Sequence, residues 1–231
     1  MSNFQIKIIA MTTMLIDHVG VILQDIHSLF FLFRVVGRVA FPLFVFLIAL
    51  GCIHTKNIRS YLFRLFVFAI VSQLPFTLFL GVPLLANLNI FFTLFLGVLT
   101  IHMYNLAKVR GLSYLIAFMF LFVFSYIIAE LINVDYGGVG VLFIMLVYLA
   151  KVSTKSKILI PISILAIMLV MYYPINYLVT LLFIGGCFSI FPMVYYNGKI
   201  GQRLKQRWLF YSFYPAHLLL LTAIAQFLLP F

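Results

Sequence analysis

Apolar residues run along this chain in long, nearly unbroken stretches, parted by short clusters of Gly, Pro, Asn and charged side chains. Breaking the sequence at those clusters predicts helices over 6–23, 31–53, 60–80, 88–106, 112–130, 138–150, 157–172, 176–194 and 210–229. Most of these stretches reach the roughly 18 to 20 residues that cross a hydrocarbon core of about 30 Å at about 1.5 Å per residue. The sixth is short and opens on Gly137, Gly138 and Gly140, and only Tyr172, Tyr173, Pro174, Ile175 and Asn176 part the seventh from the eighth. The expectation is all-α: a polytopic transmembrane helix bundle of about nine helices, forming a single integral membrane domain over 1–231. The first stretch follows Lys7 and superficially resembles a secretory leader, but it lacks a small-residue cleavage site and holds Asp17 and His18 in its second half. It reads as a retained helix.

Composition agrees, since 66% of the residues are hydrophobic and only 8% charged, too few to cover a water-soluble globule. The formal charge of +11 raises nucleic acid as a partner, but its distribution removes that reading. Assigning loops to alternating sides collects Lys7, then Lys56, Arg59 and Arg64, then Lys108 and Arg110, then Lys151, Lys155 and Lys157, then Lys199, Arg203, Lys205 and Arg207 on one side, 13 of the 15 basic residues. Asp25, Glu130 and Asp135 fall on the other side. Positive loops stay in the cytoplasm, which predicts a cytoplasmic N-terminus and an external C-terminus. The charge is thus a topology signal, the partner surface is the lipid bilayer, and no nucleic acid is expected. No internal repeat of the transporter kind is visible. Cys52 and Cys187 have no partner at metal-ligand spacing, so neither a disulfide nor a metal site is expected.

An ionisable side chain inside the bilayer costs about 2.5 to 3.5 kcal/mol on insertion scales, so each is a functional candidate. Asp17 and His18 fall roughly 16 to 18 Å from the cytoplasmic end of the first helix. Arg34 and Arg38 lie one helical turn apart on the next, antiparallel helix, where Arg38 comes to a similar depth, so pairing with Asp17 is expected. Pro42, four residues after Arg38, has no N–H to give the Arg38 carbonyl. Ala10, Thr13, Asp17, Gly20 and Gln24 form a stripe that should pack inward. A packing salt bridge alone leaves the neighbouring histidine unexplained, and histidine is the side chain suited to take and return a proton near neutral pH. A second stripe, Asn89, Thr93, Gly97, Thr100 and Tyr104, serves either as interhelical glue or as substrate contact. Tyr211, Tyr214 and His217 share a face of the last helix, with His217 about 10 Å from the cytoplasmic side.

Read in order, several segments resemble the TraX family. They are Lys7-Ile-Ile-Ala-Met-Thr-Thr-Met-Leu-Ile-Asp17-His18-Val-Gly20, Gly37-Arg38-Val-Ala-Phe41-Pro42-Leu-Phe44, His54-Thr55-Lys56-Asn57, Gln73-Leu-Pro75-Phe76, Asn89-Ile-Phe-Phe-Thr93-Leu, Asp135-Tyr136-Gly137 and Tyr214-Pro215-Ala-His217-Leu. The matches are collinear from residue 7 to about residue 220. TraX is linked to N-acetylation of the pilin amino terminus, and the family is similar to polytopic acyltransferases that include bacterial O-acetyltransferases and heparan-alpha-glucosaminide N-acetyltransferase.

The resemblance implies a multi-pass protein of the bacterial cytoplasmic membrane and an acyltransferase with acetyl-CoA as donor. On that pattern His18 is the catalytic base and Asp17 its orienting partner. Arg34 and Arg38, with Tyr214 and His217, would hold the donor, while Asn89, Thr93, Asp135 and Tyr136 would meet the acceptor. That acceptor is an amine or hydroxyl on a peptide, lipid or surface glycan. This chain has Leu50, Gln73 and Thr77 where acidic residues are expected in the family. The competing reading is a proton-coupled transporter or flippase in which the same charges relay protons or bind an anionic substrate.

Overall fold

The computed structural model describes residues 1–23, 26–109, 114–150, 177–199 and 207–228. Among these the secondary structure is helical: α1 (Asn3–Leu23), a 3-10 turn (Ser28–Phe30), α2 (Phe31–Gly37), α3 (Ala40–His54), α4 (Ile58–Leu80), α5 (Ile90–Val109), α6 (Tyr114–Leu131), α7 (Gly137–Leu149), α8 (Tyr177–Cys187), α9 (Ile190–Val194) and α10 (Arg207–Leu228). Five stretches, Asn3–Leu23, Phe31–His54, Ile58–Leu80, Ile90–Val109 and Leu209–Phe227, are long and apolar enough to cross a bilayer. The chain is an all-α membrane protein. The predicted helix 157–172, the linker at 172–176, and Gln24, Asp25, Arg110, Lys151, Lys155, Lys157, Arg203 and Lys205 lie outside the described residues.

Two predicted helices are interrupted. The stretch 31–53 ends one helix at Gly37 and begins another at Ala40. The chain closes α2 with Arg38 N–H donating to the Arg34 and Val35 carbonyls at 3.2 and 3.3 Å, and restarts at Ala40. Pro42 then falls in the first turn of α3, where its missing N–H has no intrahelical duty, whereas Pro75 and Pro215 lie inside α4 and α10 without ending them. The predicted helix 176–194 is likewise parted at Phe188 and Ser189 into α8 and α9.

The chain divides into two compact units. The first joins Met1–Leu47 to the described residues after 150, and the second is Ile48–Ala150. In the first, α1 packs against α2 and α10, and α2 also packs against α8. Small residues allow this close approach. A Cβ on Gly37 would stand 2.2 Å from Asp17 Cβ and one on Gly185 2.1 Å from the Val35 carbonyl oxygen, both impossibly near. The Met1 ammonium donates to the Tyr195 carbonyl, and Asn3 N–H donates to the Lys199 carbonyl at 2.9 Å, which ties the start of α1 to the loop after α9.

In the second unit α5 is the hub, packing against α4, α6 and α7. Its stripe, Asn89, Thr93, Gly97, Thr100 and Tyr104, is buried throughout. Gly97 admits Ile144 of α7, whose Cδ1 would lie 2.5 Å from an added Cβ, and the Thr100 hydroxyl donates to Ser125 Oγ of α6 at 2.6 Å. Asn57 caps α4 by accepting from Ser60 N–H at 3.0 Å, and Gly81 ends it in the left-handed region at φ 67°.

Candidate functional site

Two helical features build the constellation in the first unit. Asp17 and His18 are consecutive on α1, so they point about 100° apart around the helix and meet different neighbours. Asp17 faces α2. Its Oδ2 accepts from Arg34 Nη1 at 3.4 Å, and its Oδ1 lies 3.8 Å from Arg38 Nη2. The pairing expected from depth and register is thus present, and both arginines converge on one carboxylate because Gly37 brings α2 against the Asp17 backbone. These side chains are half-buried, at 15% exposure for Asp17, 21% for Arg34 and 22% for Arg38. One carboxylate and two guanidinium groups leave a net charge of +1 in an apolar setting, which favours a single anionic group as visitor.

His18 faces α10 instead. Its Nδ1 lies 2.7 Å from Nε2 of His217, and the ring centroids are 4.9 Å apart, as for two imidazoles that meet nitrogen to nitrogen. His217 is 5% exposed, its Nδ1 lies 2.7 Å from the Phe213 carbonyl oxygen, and its ring stacks on Phe213 at 4.7 Å with planes 14° apart. Tyr214, 4% exposed, closes the group with its ring 6.3 Å from His18 and 5.7 Å from His217. Six of the residues singled out in the sequence therefore gather in one place: Asp17, His18, Arg34, Arg38, Tyr214 and His217. His217, grouped with the donor contacts in the sequence reading, stands against the His18 ring, while Asp17 stands against the arginines. The Phe213 carbonyl joins the site with no mark in the sequence, because a backbone oxygen carries none.

The remaining four, Asn89, Thr93, Asp135 and Tyr136, gather in the second unit around a loop-to-loop contact. Leu88 and Val134 form a parallel bridge, in which Leu88 N–H donates to the Asn133 carbonyl at 3.0 Å and Asp135 N–H donates to the Leu88 carbonyl at 2.8 Å. The Thr93 hydroxyl donates to the Asp135 main-chain carbonyl. Tyr136 opens α7 at φ 63° and Gly137 follows at φ 51°; the Gly138 N–H donates to Glu130 Oε1 at 2.8 Å. Asn89, fully buried, spends its side chain inside the protein: Nδ2 donates to the Ala69 carbonyl at 2.7 Å and to Gln73 Oε1 at 2.8 Å, and Oδ1 accepts from Phe91 N–H at 3.0 Å. The bonds to Ala69 and Gln73 hold the start of α5 against α4, and the bond from Phe91 is local to the first turn of α5.

Gln73 stands where the resemblance led to the expectation of an acidic residue, and its bonds suit an amide. Its Nε2 donates to the Leu84 and Asn87 carbonyls, each at 2.7 Å, while its Oε1 accepts from Asn89 N–H at 3.1 Å and from Asn89 Nδ2. An amide meets this need, whereas a carboxylate would set the oxygen in place of Nε2 against both carbonyls. Thr77 turns its hydroxyl back to the Gln73 carbonyl at 3.1 Å, and Leu50 is buried.

Comparison with known proteins places the chain in a family. The model of the family described as "TraX protein" matches residues 2–225. A relative described as "Probable fimbrial assembly protein FimC, serogroup H1", from Dichelobacter nodosus, is 27% identical over 243 aligned residues that cover 98% of this chain and 97% of the relative. No solved structure matches. With nearly its whole length matched, the chain belongs to the TraX family.

Proposed function

We propose that the protein is a membrane acetyltransferase that moves an acetyl group from acetyl-CoA to an amine or hydroxyl, with His18 as the base. The observation that carries this reading is the His18–His217 pair, whose His18 follows directly on Asp17 of an ion-pair cluster with one positive charge to spare. A salt bridge that only packed helices would have no use for two imidazoles in line beside it. Family membership and the fimbrial-assembly description of the Dichelobacter relative support the reading, and they make fimbrial subunits the first acceptors to examine.

In the reaction the acceptor nitrogen or oxygen attacks the thioester carbon as His18 takes its proton. A base so placed contributes about 10²- to 10⁴-fold. Negative charge builds on the thioester oxygen, where a guanidinium of Arg34 or Arg38 offsets it; one such donor is worth about 10²- to 10³-fold in other acyl-transfer sites. Collapse breaks the carbon–sulfur bond, and the proton held by His18 passes to the departing thiolate. One C–S bond is lost, one C–N or C–O bond is formed, and the proton ends on sulfur. The donor approaches from the cytoplasmic face of a bacterial inner membrane, where the basic loops suit its phosphates.

Binding of the donor separates this reading from a proton-coupled carrier. The purified protein in detergent should gain thermal stability with acetyl-CoA in a saturable way, and Arg38→Gln should weaken that response about tenfold or more in apparent affinity. No shift at millimolar acetyl-CoA would favour the carrier.

A further inference from the structure

We propose that His217 is a positioning residue for His18, holding the His18 ring in the tautomer whose Nε2 carries the lone pair and sharing the positive charge once that nitrogen is protonated. The inference rests on the reading of His18 as the base of acetyl transfer. It begins at the one atom whose role is fixed. A carbonyl oxygen only accepts, so His217 Nδ1, 2.7 Å from the Phe213 carbonyl, carries a hydrogen. In the neutral ring Nε2 is then an acceptor. His18 Nδ1, 2.7 Å away, must donate to it. The lone pair of His18 is left on Nε2, the nitrogen on the far side of the ring from His217.

The same bonds serve the protonated state. When His18 Nε2 takes a proton from the acceptor, the hydrogen on Nδ1 already points at His217 Nε2. Its transfer would leave His217 with hydrogens on both nitrogens and its Nδ1–H still on the Phe213 carbonyl. Charge moves one ring further along without any group moving. Proton count is conserved, since the hydrogen returns when His18 gives up the Nε2 proton to the thiolate.

Packing keeps the second ring in line. His217 is stacked on Phe213 at 4.7 Å, flanked by Tyr214 at 5.7 Å and buried. His54 provides a comparison within the same chain: its Nδ1 lies 2.8 Å from the carbonyl of Leu50, also four residues earlier, yet its side chain is exposed. A bond from a histidine to the carbonyl one turn back is therefore a local habit of the helix. What distinguishes His217 is burial, stacking and the imidazole of His18 at its other nitrogen.

Two measurements test this on the full chain in detergent. With histidine labelled by 15N, the wild-type spectrum should show His18 protonated at Nδ1 and bare at Nε2, and His217→Phe should abolish that preference. A wild-type His18 protonated at Nε2 and bare at Nδ1 overturns the proposal, whatever the variants do. In acetyl transfer from radiolabelled acetyl-CoA, His217→Phe should lower kcat by about 10- to 100-fold with KM for acetyl-CoA within about twofold. His217→Gln, whose amide oxygen can accept from His18 Nδ1, should recover most of that loss. If His217→Phe retains wild-type kcat while His18→Ala is inactive, the positioning role fails and the base stands. If His18→Ala is as active as wild type, the underlying reading fails instead.

Discussion

The Gln73 amide donates to two carbonyls and accepts from two N–H groups of one residue, so each of its polar atoms has a stated duty. Gln73→Glu keeps the shape and removes both donors, and a buried polar group left unmatched costs about 1 to 3 kcal/mol. The variant should lower the melting temperature in detergent measurably, and unchanged stability would contradict the assigned bonding. An acid at this position is thus expected to damage this chain. At this scale the sequence exposed half of the candidate site. The Asp17 pairing with Arg34 and Arg38 was legible because a short connection and the helical rise fix the depth of both helices. The His18–His217 contact was not, since 199 positions separate the two residues and no spacing rule reaches across them.

Between the elements, glycine decides how close α1, α2 and α8 come. Gly37 sits where an added methyl would lie 2.6 Å from the Asp17 Cα, so only backbone displacement relieves it. Gly186 is in open contact by comparison, its nearest neighbour being the Arg38 carbonyl oxygen at 3.5 Å. Gly37→Ala should destabilise the protein by about 1 to 3 kcal/mol and, by spreading Asp17 from the arginines, reduce acetyl transfer as well. Gly186→Ala should stay within about 0.5 kcal/mol of wild type. Equal effects from the two substitutions, read as melting temperatures side by side, would refute this packing. Most helix positions among the described residues followed from the hydrophobic runs and the polar, Gly and Pro breaks between them, because in lipid a backbone must satisfy its own hydrogen bonds. The break at Arg38 and Val39 was half visible: Pro42 marked a carbonyl without its usual donor, but whether a helix kinks or stops depends on what packs beside it.

Among the described residues, the His18 group belongs to the first compact unit and the Asn89–Asp135 contact to the second. Charge asymmetry sets a further expectation. Alkaline phosphatase fused after the last helix should be active, and fused after Lys56 inactive, as a cytoplasmic N-terminus and nine crossings require. The reverse pattern would contradict the orientation read from 13 of the 15 basic residues. Fold class and family were legible along the chain, since both rest on linear patterns; the grouping of three helices, α1, α2 and α10, about Asp17 and His18 was not, because chain order does not determine which helices become neighbours. The central claim is that His18 takes the acceptor's proton in acetyl transfer. Its most direct test is transfer of label from radioactive acetyl-CoA in membranes carrying either the wild-type chain or His18→Ala, at equal amounts of folded protein. Labelled product is expected with the first and at least about a hundredfold less with the second; equal labelling by both would contradict the assignment of His18 as the base.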